Sequence, residues 1–170
     1  MSRDLNDLQP EFGCKVKKLL TDLGAGGHEF RPFFTVRTPQ EQARLWRQSR
    51  SREQIQKAIE SLKLKGAPYL AEVLDSVGPQ FGRHVTGALP GLSWHQHGLA
   101  VDCFCMINGE AEWSSKFYTP YANAARAAGL NAGHFWPRFK DSVHIQQAND
   151  RVLDRYSWPE LDRRMRNGFG

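Results

Sequence analysis

SWHQHGLAVDCFCMI, Ser93 to Ile107, carries two histidines into an apolar run that has a single aspartate near its centre. From Gly98 the run alternates well enough for a largely buried strand, with Asp102, Phe104 and Met106 on one face and Val101, Cys103 and Cys105 on the other. A carboxylate in the middle of such a strand is expensive to bury alone, so Asp102 needs a cation. His95 stands seven residues earlier, and DSVHIQ, from Asp141, sets His144 among apolar strand positions. Two histidines and one carboxylate leave a fourth tetrahedral position open, the ligand count of a catalytic rather than a structural zinc. Spacing alone leaves the ligand set open, because His95 and His97 could pair on one strand face and Cys103 and Cys105 offer soft ligands.

Working outward, Asn108-Gly109 signals a hairpin with Glu110 to Trp113 returning. Thr119-Pro120 starts an Ala-rich helix that Gly129 ends, SVHIQ reads as another short strand, and Ser157 to Glu160 caps a basic C-terminal helix. Upstream, Leu5, Leu8, Phe12, Val16, Leu19, Leu20 and Leu23 recur at helical spacing, predicting a helix from about Pro10 to Leu23 that stops at the GAGG turn. Phe30, Phe34 and Val36 then share one face of a strand. Thr38-Pro39-Gln40-Glu41 is a capping box, so that strand stops at Arg37 and the following helix carries Gln42 and Trp46. Ser51 with Gln54 opens another helix, Gly66 breaks it, and a short helix follows from Ala67 before a Gly/Pro-rich loop to Pro90. Helices followed by hairpin-linked strands predict an α+β domain with a small antiparallel sheet.

The chain has 170 residues, 40% hydrophobic and 24% charged, which suits one compact domain spanning 1–170 that closes its core without disulfides. No apolar run approaches the roughly 20 residues needed to cross a bilayer. Five Trp, ten Phe and four Tyr exclude a disordered chain. MSRDLNDLQPEF lacks the pattern of a secretory signal, so the expectation is a protein that stays in the cytosol of the cell that makes it until something else releases it. Cys14, Cys103 and Cys105 are an odd number with poorly placed sulfurs, and no structural disulfide is expected. The net charge of +5 favours an anionic partner, but no RNP, zinc-finger or basic-zipper pattern accompanies it, and a nucleic-acid role is not expected.

Ser93 to Asp102 resembles the signature Ser-x-His-x-x-Gly-x-Ala-x-Asp of the LAS-type zinc peptidases, which include D-alanyl-D-alanine carboxypeptidases, vancomycin-resistance dipeptidases and phage L-alanyl-D-glutamate endolysins. All five fixed positions match. Asp141 to His144 is similar to the family's second motif, and VRTPQEQARLWRQSR from Val36 resembles its upstream arginine segment. The likeness spans roughly residues 8 to 147. It implies a hedgehog/DD-peptidase-like fold, zinc held by His95, Asp102 and His144, Asp141 as catalytic base and Arg37 as stabiliser of the oxyanion. Ser93 and Gln42 would support the site or touch substrate. Three residues of extended chain would point Asp141 away from His144, so a bend must bring it over the metal. The chain departs from the family after Leu130, where NAGHFWPRF replaces a Trp-Gly-Gly segment. His97 then reads as a pocket-wall residue, and His134 as a gate or a solvated loop residue.

The resemblance implies a zinc-dependent peptidoglycan peptidase, a phage endolysin cutting the L-alanyl-D-glutamate bond of the stem peptide and lysing the host. Such a lysin would be monomeric and would reach the wall through a holin-like pore. The alternatives are a D-alanyl-D-alanine dipeptidase or carboxypeptidase, or a catalytically silent zinc-binding module. Asp141 and Arg37 argue against silence, since a binding module needs ligands but no base. Arg163, Arg164 and Arg166 on the C-terminal helix could attract an anionic envelope.

Overall fold

Five strands form one antiparallel sheet in the computed structural model, which describes residues 2–170. Strands β1 (Phe30–Phe34), β2 (Ala100–Ile107), β4 (Asn131–Ala132) and β5 (His144–Gln146) run in the order β1-β2-β5-β4, and β3 (Glu110–Glu112) pairs with the end of β2. The expected hairpin forms because Asn108 and Gly109 both take positive φ, 51° and 84°, as a two-residue turn between twisted strands requires. The α+β expectation with a small antiparallel sheet is met.

The contacts divide into two compact units, one comprising residues 1–36 and 97–149 and the other 37–96 and 150–170. In the first, helices α1 (Pro10–Ala25) and α5 (Thr119–Ala127) supply the apolar cover of the sheet. Phe12, Val16, Leu19 and Leu23 of α1 and Tyr121, Ala122 and Ala125 of α5 join Phe30, Val101, Cys103, Cys105 and Ile145 in one buried core. Each large apolar side chain buried there contributes on the order of 2 kcal/mol. The alternation expected of β2 holds, with Val101, Cys103 and Cys105 on the core side. That of β1 does not, since the ladder slips between Pro32 and Phe34 where proline has no N–H to give. Gly98 has φ +66° and a Cβ there would lie 3.1 Å from the Gln9 nitrogen, which itself donates to the Gly98 carbonyl.

The second unit is helical: α2 (Pro39–Arg47), α3 (Arg52–Leu64), α4 (Pro68–Ser76), α6 (Val152–Arg155) and α7 (Trp158–Phe169). The capping boxes at Thr38, Ser51 and Ser157 are all formed. Helix α4 packs against α2, α3 and α7, burying Leu70, Ala71, Val73 and Leu74. This unit holds 14 Lys and Arg against 9 Asp and Glu, whereas the sheet unit holds nine of each. The whole excess of positive charge therefore belongs to the helical unit, and long-range attraction to an anionic surface acts there. All three cysteines are free, as expected.

Candidate metal centre

Strands β2 and β5 pair so that Asp102 faces His144 and Ala100 faces Gln146. Side chains two apart on a strand share a face, so His144 and Gln146 stand side by side beside Asp102, with the small Ala100 leaving room. Asp102 Oδ1 lies 2.9 Å from His144 Nδ1, and both residues are 8% exposed. His144 Nε2 is 3.0 Å from Gln146 Oε1, while Gln146 Nε2 donates to the Ala148 carbonyl at 2.6 Å. That last bond orients the amide. Gln146 Oε1 must then accept and His144 Nε2 carries a proton, so in the neutral ring it is Nδ1, facing Asp102, that holds the lone pair.

A lone pair and a carboxylate oxygen 2.9 Å apart repel unless a proton or a metal ion lies between them. Burial opposes a charged His144 ring, but the hydrogen bond and charge of Asp102, the charge of Asp141 and the bond to Gln146 outweigh it and raise the pKa above the ordinary value. His95 completes the group: one ligand atom from each of His95, Asp102 and His144 lies within 4.8 Å of the others. Neighbouring ligand atoms of tetrahedral zinc, with bonds near 2.0–2.2 Å, stand about 3.3 Å apart. The donor set of two imidazoles and one carboxylate, all buried, fits zinc in chemistry.

The other residues expected at the site are placed as follows. His95 and His97 belong to a 3-10 turn, Trp94–His97, so they do not pair on a strand face. His97 is 7% exposed and is outside the group of three. Cys103 lies on the core side of β2, wholly buried and on the face opposite Asp102, and burial pushes its thiol up to about 12. Arg37 is 9% exposed, its Nη1 donates to Gln42 Oε1 at 2.9 Å and its backbone N–H reaches the His95 carbonyl at 3.4 Å. Gln42 is fully buried and also donates to the Ala88 carbonyl at 2.7 Å, so it ties Arg37 to the long loop before Ser93. Ser93 accepts the Gln96 N–H through its carbonyl, closing the turn that carries His95.

Asp141 precedes a turn, closed by His144 N–H donating to the Asp141 carbonyl at 3.3 Å. Ser142 and Val143 are therefore outside the strand that SVHIQ predicted, and β5 starts only at His144. The chain therefore bends between Asp141 and His144 instead of running extended. His134 is not a solvated loop residue: it is half-buried with Nδ1 3.0 Å from Ser142 Oγ. Burial and the nearby Lys140 lower its pKa. Two neighbours of His144 were missed in the sequence, Gln146 and Trp136, whose ring centroid lies 5.3 Å from the imidazole. The alternation His144-x-Gln146 carried the first signal.

No family model and no curated protein matches the chain. Among solved structures it is similar to the Serratia marcescens L-Ala D-Glu endopeptidase ChiX, with 18% identity over 85% of this chain and 83% of that one at a TM-score of 0.45. VanYB in complex with D-alanine-D-alanine shares 17% identity over 95% of this chain and 78% of that one, with a TM-score of 0.49. The vancomycin resistance D,D-pentapeptidase VanY of a VanB-type resistance cassette, in complex with Zn(II), shares 18% over 82% and 71%, with a TM-score of 0.40.

Proposed function

We propose that the chain is a zinc-dependent peptidase of bacterial peptidoglycan that hydrolyses the L-alanyl-D-glutamate bond of the stem peptide, acting as an endolysin. The observation that carries the peptidase reading is the buried donor group of His95, Asp102 and His144, with the His144 tautomer set by Gln146. Three protein ligands are the number that leaves zinc a free position for catalysis. The bond and the lytic role rest on the chain's likeness to the endolysin branch of the family, since the motif Ser93 to Asp102 is common to all its branches.

His95, Asp102 and His144 would hold the ion, which supplies a water of lowered pKa and polarisation of the scissile carbonyl. Asp141 takes the proton of the attacking water and delivers it to the leaving amine. Arg37 places a permanent charge with forked donors where the oxyanion develops, and its bond to Gln42 holds that fork. A silent zinc module would need neither group. In the endolysin reading, the chain reaches the wall after a pore formed by another protein opens the membrane.

Digesting purified peptidoglycan and identifying the new termini by mass spectrometry tests the reading. New N-terminal D-glutamate is expected. Release of D-alanine alone with the L-alanyl-D-glutamate bond intact would transfer the chain to the D,D-peptidases, and no new terminus of any kind would leave a non-catalytic metal module.

A further inference from the structure

Gly133 lies in a 3-10 turn, Gly133–Phe135, and is buried. Its φ is outside the left-handed region that favours glycine, so conformational freedom is not why a glycine stands here. Space is. A Cβ on Gly133 would collide with the Asp141 carbonyl oxygen and come within 3.2 Å of the Asp141 Cβ. The Gly133 carbonyl in turn accepts the Asp141 N–H at 3.0 Å and the Trp136 N–H at 3.1 Å. One position along, His134 Nδ1 meets Ser142 Oγ at 3.0 Å. Two adjacent residue pairs, Gly133 with Asp141 and His134 with Ser142, thus close the base of the loop 135–140 and bring its two ends into backbone contact.

We infer that Gly133 is a positioning residue for Asp141: its missing side chain lets the two backbones touch, and its carbonyl fixes the height at which the Asp141 carboxylate stands. The His134–Ser142 bond is the second strap of the same clamp. This inference rests on Asp141 being the base. His144 is tied to the Asp141 carbonyl by its own N–H at 3.3 Å, but it is also paired across the ladder with Asp102, and Val143 accepts the Cys103 N–H at 3.0 Å, so the strand holds His144 where nothing comparable holds Asp141. Displacing the clamp therefore moves the base more than the metal. Misplacement of a catalytic group by about 1 Å costs on the order of 10²-fold in rate.

A double-mutant cycle on the zinc-loaded protein, with kcat and KM measured on soluble muropeptides, tests this. Gly133→Ala should lower kcat about 10²-fold while KM and zinc content stay within about twofold. In an Asp141→Ala background the same substitution should cost nothing further, because the group it displaces is gone. Ser142→Ala adds no bulk and folds without strain. It should give a smaller loss of kcat that likewise vanishes in the Asp141→Ala background, and it carries the test should Gly133→Ala fail to fold. Losses that persist in full without Asp141, loss of zinc in Gly133→Ala, or an unchanged kcat would each overturn the inference. An Asp141→Ala variant with undiminished kcat would instead overturn the base assignment itself.

Discussion

Gln146 Oε1 stands 3.0 Å from His144 Nε2, and the amide cannot turn round because its nitrogen is engaged at 2.6 Å by the Ala148 carbonyl. The pair fixes which imidazole nitrogen faces Asp102. Removing such an outer partner of a metal-binding histidine costs about 10- to 100-fold in affinity. Gln146→Leu should therefore bind zinc about 10- to 100-fold more weakly in competition with a chromophoric chelator, with the fold retained. An affinity equal to the parent's would show that the amide does not set the tautomer.

Mutation should separate the proposed ligand set from its neighbours. His95→Ala and His144→Ala should lose stoichiometric zinc by elemental analysis, whereas His97→Ala and Cys103→Ala should keep it. Cys103 faces the opposite side of β2 with its thiol pushed up to about 12. Zinc loss in Cys103→Ala without unfolding would contradict that orientation.

The three capped helix starts were legible because a capping box is written within four residues. Strand β2 was legible because Val101, Cys103 and Cys105 alternate with Asp102 and Phe104 over one unbroken run. The three residues expected to hold a metal could be named only through the family resemblance, because spacing alone left His97 and the cysteines in play. What excluded them was the 3-10 turn at Trp94–His97 and the core side of β2, both set by tertiary packing. Strand β4, two residues long, and helix α6, four residues long, are too short for periodicity to register. The contact of Gly133 with Asp141 joins chain segments that no local pattern links.

Helix α4 shows the same limit and yields a stability test. Its first residues follow Ala67, which offers no side-chain cap, so α4 borrows one: Asp162 Oδ1 on α7 accepts the Leu70 N–H at 2.9 Å. Asp162 is 5% exposed, and Arg166 approaches its other oxygen at 3.7 Å. The negative charge also suits the positive end of the α4 dipole. Asp162→Ala should lower stability by about 1–3 kcal/mol by leaving a buried donor unmet, and Asp162→Asn by less. Denaturant titration measures both, and a loss under a few tenths of a kcal/mol would show that water replaces the cap.

In the core of the sheet unit, the Cys103 thiol and the Tyr121 hydroxyl lie against each other. Burial is the largest cause that raises both, Cys103 to about 12 and Tyr121 well above its ordinary range. Each is held in its neutral form by the fold, while in the unfolded chain the thiol ionises near its ordinary value of 9.0. Native protein thus binds more protons than unfolded protein once the pH passes about 9, and stability falls as pH rises from there towards about 12. Below pH 9 the contribution is present in full. Tyr121→Phe keeps the ring stacked on Phe30, centroids 4.9 Å apart, and removes a hydroxyl that has no ordinary hydrogen-bond partner. It should be as stable as the parent or slightly more so at neutral pH, and Tyr121→Phe and Cys103→Ala should each lose less in thermal midpoint between pH 8 and pH 11. At pH 7 a thiol reagent should modify the exposed Cys14 in the native protein and reach Cys103 only on unfolding. Native labelling of Cys103, or alkaline slopes identical to the parent's in both variants, would refute the buried neutral pair.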